Sequence, residues 1–129
     1  ACTDVTGFGL LGHLVEMVRA SGVDVDLDLS AIPYMEGAEE TVRAGIVSSL
    51  QPQNVRLRRA IANLDDASQD PRYPLIFDPQ TAGGLLASLP AERAEGCIQA
   101  LKGLGYDRSA IIGRVKVEGD ALQPITIIR

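Results

Sequence analysis

Residues 23–29 read VDVDLDL, a strict alternation of Val23, Val25, Leu27 and Leu29 with Asp24, Asp26 and Asp28. A helix, at about 3.6 residues per turn, would scatter those carboxylates through its apolar stripe. A strand separates them: the aliphatic side chains face a core and the carboxylates face solvent. The chain must therefore hold a sheet with one dry face. Just upstream, Leu10, Leu11, Leu14, Val15 and Val18 recur at helical spacing. They predict a helix over residues 8–20, closed by Gly22 as a left-handed cap.

The same reasoning extends along the chain. Residues 2–6 end an extended segment broken by Gly7 and Gly9. Residues 36–44 form a short helix ended by Gly45, 46–53 a polar loop, and 54–64 a helix carried by Val55, Ile61 and Leu64. Residues 65–73 are a loop by composition. Leu75, Ile76 and Phe77 read as a short buried strand, 78–84 as a loop and 85–89 as a strand. Pro90 suits a helix N-terminus, and the helix over 91–102 ends at Gly103 and Gly105. Strands over 110–117 and 121–128 are joined by Glu118-Gly119-Asp120, which reads as a hairpin turn. This order predicts an α+β fold with a mixed β-sheet of about five strands covered by helices. A chain of 129 residues suffices for one domain and is too short for two. With aromatics at 4% and no Trp, its core must rest on aliphatic residues.

A net charge of −5 argues against a nucleic-acid role, which needs a cationic surface. The exception is a basic cluster of Arg56, Arg58 and Arg59, with Arg43 upstream, which reads as a solvated face more readily than as an anion site. No apolar run has transmembrane length and no signal peptide is recognisable, so no membrane is expected. Cys2 and Cys97 lie far apart, outside any CxxC or His-paired spacing, which disfavours a metal clip or disulfide framework. Two free thiols fit a reducing compartment, and a cytoplasmic protein is the expectation.

Two glycine-bearing segments offer chemistry. In Thr3-Asp4-Val5-Thr6-Gly7-Phe8-Gly9, glycines between strand and helix permit positive φ and close backbone approach. The helix start after them presents free N–H groups that suit phosphate. Asp4 can ligate Mg²⁺, which takes carboxylate and phosphate oxygens, and Thr6 can cap the helix or meet a phosphate oxygen. The segment is neither a Walker A loop nor GxGxxG, so chemistry alone leaves a plain strand–helix turn at least as well supported. Asp78-Pro79-Gln80-Thr81-Ala82-Gly83-Gly84 is a second tight loop, with a structural turn the favoured reading. Alternate residues of Asp24, Asp26 and Asp28 stand about 7 Å apart, too far to share one small ion, so a solvated face is expected. His13, the lone histidine, reads as structural or exposed. Cys2 has nothing beside it to lower its pKa.

Taken together, ACTDVTGFGLLGH (1–13) and LIFDPQTAGGLLASLP (75–90) resemble the two signature segments of the C-terminal domain of the selenophosphate synthetases (selenide, water dikinases). These belong to the aminoimidazole ribonucleotide synthetase superfamily. The likeness covers essentially the whole chain, and Phe8 followed by Gly9-Leu10-Leu11-Gly12-His13 separates it from relatives with further glycines there. The resemblance implies an enzyme that makes selenophosphate, AMP and phosphate from ATP, selenide and water. It implies a homodimer of two-domain subunits with ATP and Mg²⁺ between the domains. Asp4 is then a metal ligand, and Thr6, Gly7 and Gly9 fall at phosphate-side positions. The catalytic Cys or Sec and the essential Lys fall in an N-terminal domain that this chain lacks, and Cys2 does not match that Cys. The expectation is thus a fragment of a longer protein, inactive alone. Ala82 stands where many relatives carry Ser. The stretch Ser48–Asn54 resembles a branch fused behind a flavoprotein domain. The rival readings are a related ATP-dependent synthetase or kinase, and a non-catalytic dimerisation or regulatory module.

Overall fold

The computed structural model describes all residues, 1–129. Its elements are β1 (Cys2–Asp4), α1 (Gly9–Ser21), β2 (Val23–Asp28), α2 (Ala38–Arg43), α3 (Gln51–Asn54), a 3₁₀ helix Val55–Ala60, α4 (Leu64–Ala67), a 3₁₀ helix Tyr73–Phe77, β3 (Leu85–Ala87), α5 (Ala91–Gly103), β4 (Gly113–Val117) and β5 (Ile125–Ile128). The fold is α+β with mixed strand pairing, as the sequence predicts. The strands divide between two sheets, however: β1 with β3, and β4-β2-β5.

The alternating segment is the central strand of the larger sheet, antiparallel to β4 and parallel to β5. Val25, Leu27 and Leu29 are buried, joined by Ile125 and Ile127 of β5. α1 lays Leu11, Leu14, Val15 and Val18 into the same core. Its end is set by Gly22, whose φ of 59° carries the left-handed cap. On the wet face, each carboxylate has its own partner. Asp24 Oδ2 accepts the Gly119 N–H at 3.0 Å, Asp26 pairs with Lys116 at 2.5 Å, and Asp28 Oδ1 accepts the Ser30 hydroxyl at 2.6 Å. That last bond, first among its causes, holds the Asp28 carboxyl below the usual range. Three separately engaged acids are a solvated strand face, not an ion site.

Four expectations are corrected. The segment 110–128 is not a hairpin, because β2 lies between β4 and β5. The connection instead crosses the end of β2, tied down by the Asp24–Gly119 bond. Leu75–Phe77 lie in a 3₁₀ helix, not a strand: Pro74 near its start lacks the N–H a ladder needs. The helix expected over 54–64 is a 3₁₀ turn to Ala60, then a single bridge from Ile61 to Ile125. Finally, α3 and α4 fall in stretches read as loops. No helix is long and apolar enough to cross a membrane.

Candidate functional site

The two glycine-bearing segments, distant in sequence, lie against each other. β1 and β3 pair antiparallel with Asp4 opposite Leu85. Beyond the pair, the Val5 N–H donates to Gly84 O at 2.9 Å and the Gln80 N–H to Thr6 O at 3.0 Å. The same Thr6 carbonyl accepts the Gly9 N–H at 3.0 Å. One backbone oxygen thus fastens both the start of α1 and the second loop.

The glycines divide into two kinds. Gly9 has φ of 69°, and a Cβ there would sit 2.8 Å from the Phe77 carbonyl carbon. A Cβ on Gly83 would sit 2.0 Å from Val5 O. These two are required where the segments touch. Gly7 and Gly84 have neither positive φ nor any atom within 4 Å of an added Cβ. The fold gives no reason for glycine there, and their bare backbone faces open space.

Asp4 ends β1 exposed, its carboxylate in no ion pair. No group of three or more His, Cys, Asp or Glu side chains could hold a metal by itself. One carboxylate nevertheless suits Mg²⁺, which keeps several waters and completes its shell with phosphate oxygens. Thr6 is not the helix cap: Phe8 holds that position with no side-chain bond. Instead the Thr6 N–H donates to His13 Nε2 at 3.1 Å, and the Thr6 hydroxyl lies 3.1 Å from the same nitrogen. A backbone N–H can only donate, so Nε2 is the bare nitrogen and the neutral ring carries its proton on Nδ1. Nδ1 faces Glu16 Oε2 at 3.4 Å. His13 is buried under the exposed Phe8 ring, centroids 5.7 Å apart. It is a structural prop for the Thr6 turn.

In the second loop Asp78 is half-buried, and desolvation raises its carboxyl above the usual range. Arg56, Arg58 and Arg59 are exposed on the Val55–Ala60 turn, and none of them is in an ion pair. Cys2 and Cys97 are free and exposed. Sequence reasoning passed over Asn54, which is buried. Its Nδ2 donates to Gly7 O at 2.8 Å and to Phe77 O at 3.0 Å. Nothing in the local pattern distinguishes it from a loop residue; its partners lie 47 and 23 positions away.

Comparison with known proteins bears out the resemblance. A selenide, water dikinase of Caldanaerobacter subterraneus subsp. tengcongensis is 40% identical over 116 residues, 90% of this chain and 33% of that protein. One from Clostridioides difficile is 38% identical over 122 residues, 92% of this chain and 34% of its own length. Another, from Rhizobium meliloti, is 39% identical over 113 residues, 88% of this chain and 32% of its own. The chain spans about a third of the length of these curated relatives. Residues 1–123 match the family described as AIR synthase related protein, C-terminal domain. With both motif segments inside that match and laid together in the fold, the chain belongs to the C-terminal domain family of the AIR synthase related proteins.

Proposed function

We propose that this chain is the C-terminal domain of a selenide, water dikinase and completes an ATP site formed with a domain outside residues 1–129. The overall reaction divides the three phosphoryl groups of ATP: one ends on selenium, one leaves as orthophosphate, and AMP keeps the third. The observation that carries the reading is the pairing of relatives so named with Gly7 and Gly84, glycines the fold does not need. Bare backbone at a strand–helix junction admits a phosphate where any Cβ would stand in the way.

In this reading Asp4 offers its free carboxylate as one Mg²⁺ ligand, and Thr6, Gly7 and Gly9 form the phosphate-side turn. The metal, when bound, would offset charge on the phosphate oxygens. His13 keeps the Thr6 N–H engaged, so the turn meets its ligand already shaped. The thiol or selenol nucleophile and its lysine would come from the other domain. Homodimeric assembly and a cytoplasmic setting belong to the same proposal.

The test is phosphorus NMR of the longer protein with ATP, Mg²⁺ and selenide. Selenophosphate, AMP and orthophosphate should appear in equal amounts. Asp4→Asn should lower turnover about tenfold or more, the scale on which metal-site changes act. Turnover independent of selenide, or full activity with Asp4→Asn, would refute the reading. Selenophosphate made by the 129-residue chain alone would refute its role as a completing domain.

A further inference from the structure

The residues between α2 and the first 3₁₀ turn have no part in the reading above, yet two of their side chains are buried amides. Gln51 and Asn54 are 4% and 6% exposed, at the two ends of α3. Gln51 Nε2 donates to Pro74 O at 2.7 Å. Asn54 Nδ2 donates to Phe77 O at 3.0 Å and, on its other hydrogen, to Gly7 O at 2.8 Å. Both partners of that nitrogen are carbonyl oxygens, so the amide can stand in only one orientation. α3 therefore grips the Tyr73–Phe77 helix at two points, and at the second it also reaches the glycine turn. Phe77 directly precedes the Asp78–Gly84 loop, and Gly7 lies in the Thr6–Gly9 turn. A single side chain thus spans the two segments that make the site.

We infer that Asn54 is the positioning residue of this site: its two donated hydrogen bonds fix the Thr6–Gly9 turn against the Asp78–Gly84 loop. The backbone contacts between the segments do not duplicate this bond, since they run through Val5, Thr6, Gln80 and Gly84 and leave the Gly7 carbonyl to Asn54. If Asn54 is replaced, the Gly7 carbonyl, part-buried beside it, would have to find its donor in water, and the buried Phe77 carbonyl would lose the same amide. Without Asn54 the turn should swing toward water while the sheet stays put. The inference rests on the proposed function only for the identity of the ligand, and it can fail or stand without any nucleotide.

The test is amide hydrogen exchange, residue by residue, on the 129-residue chain. The local reporters are Val5, Gly9 and Gln80, whose N–H groups close the motif contacts. The remote reporters are Val25, Leu29 and Ala62, which bond to Pro124, Ile128 and Ile125. Asn54→Asp keeps the shape and turns the donor into an acceptor facing two carbonyls. At neutral pH, protection at the local reporters should fall tenfold or more while the remote ones stay within twofold. The introduced carboxyl regains one donor when protonated, and burial raises the pH at which that happens. The loss of protection should therefore shrink as pH is lowered toward about 4.5. Asn54→Leu, similar in volume and unable to titrate, should show the local loss at every pH, and it serves if Asn54→Asp does not fold. Equal losses at local and remote reporters would make Asn54 a general packing residue and overturn the inference. So would unchanged local protection in both variants, or a pH response shared by Asn54→Leu.

Discussion

The sharpest consequence of the site geometry concerns two adjacent glycines. In Gly83→Ala the new methyl would stand 2.0 Å from Val5 O, 2.9 Å from Gln80 Cβ and 3.0 Å from the Val5 carbonyl carbon. Val5 O is backbone, held beside the bond from the Val5 N–H to Gly84 O at 2.9 Å, so no side chain can rotate away to make room. The loop must move off β1. Overpacking of this kind costs about 1–3 kcal/mol, and loss of one buried backbone hydrogen bond adds about 1 kcal/mol, for a total of about 2–4 kcal/mol. For 129 residues, an unfolding entropy of about 2.1 cal/mol/K per residue converts this to a Tm lower by roughly 7–15 °C. Gly84→Ala is the internal control. Its methyl meets nothing within 4 Å and its φ is not positive. Reducing the freedom of the unfolded chain there should stabilise by about 0.4–1 kcal/mol, or leave Tm unchanged. Differential scanning calorimetry of the two variants reads both effects. If Gly83→Ala melted within about 2 °C of the parent, or if the two variants fell together, the close contact with Val5 would be wrong.

The other glycine pair should behave alike: Gly9→Ala, strained by φ of 69° and blocked by Phe77, is expected to lose about 2 kcal/mol or more in urea titration. Gly7→Ala should keep the parent stability, so that any loss of ATP turnover in the longer protein reports on the ligand and not the fold. Asp4→Asn should melt within about 1 °C of the parent, because its carboxylate holds nothing in the chain. Asp70 is buried and takes the Arg72 Nε–H at 2.9 Å and another guanidinium N–H at 2.7 Å, and those bonds hold its carboxyl below the usual range. Its contribution is present above the unfolded value near about 3.9 and is lost as pH falls through the lowered folded value. Urea midpoints across the acid range should therefore drop below about pH 4, and Asp70→Asn should flatten part of that drop.

Much of the frame is legible in sequence where one short-range rule decides. The α1 stripe, the Gly22 cap, the β2 alternation and α5 after Pro90 each follow from a single period or cap. What escapes depends on partners far away. Tyr-Pro-Leu-Ile-Phe is apolar enough for a buried strand or a buried turn, and five residues cannot separate the periods. The Glu118-Gly119-Asp120 turn looks like a hairpin until β2 takes the place between its arms. Asp4 and Gly7 were readable as site candidates from strand-to-helix punctuation. The division of the glycines into required and unneeded ones was not, because it rests on whether Val5 or Phe77 happens to lie opposite. Asn54 was hidden for the same reason.

The pairing of β1 with β3 also fixes when the site can exist. The Ser88 N–H donates to Ala1 O at 2.8 Å across 87 positions of sequence. At a synthesis rate of about 5–20 residues per second, β1 is polymerised roughly 4–17 s before Ser88 is added. For that interval the Thr6–Gly9 turn lacks both its neighbouring loop and its paired strand. Helix α1 and the hydrophobic half of β2 can meet locally, but the contact between the two motif segments waits on a closure of long range, slow by its topology. The two motif segments of a nascent chain thus cannot meet before Ser88 has been added, by the order of its parts alone.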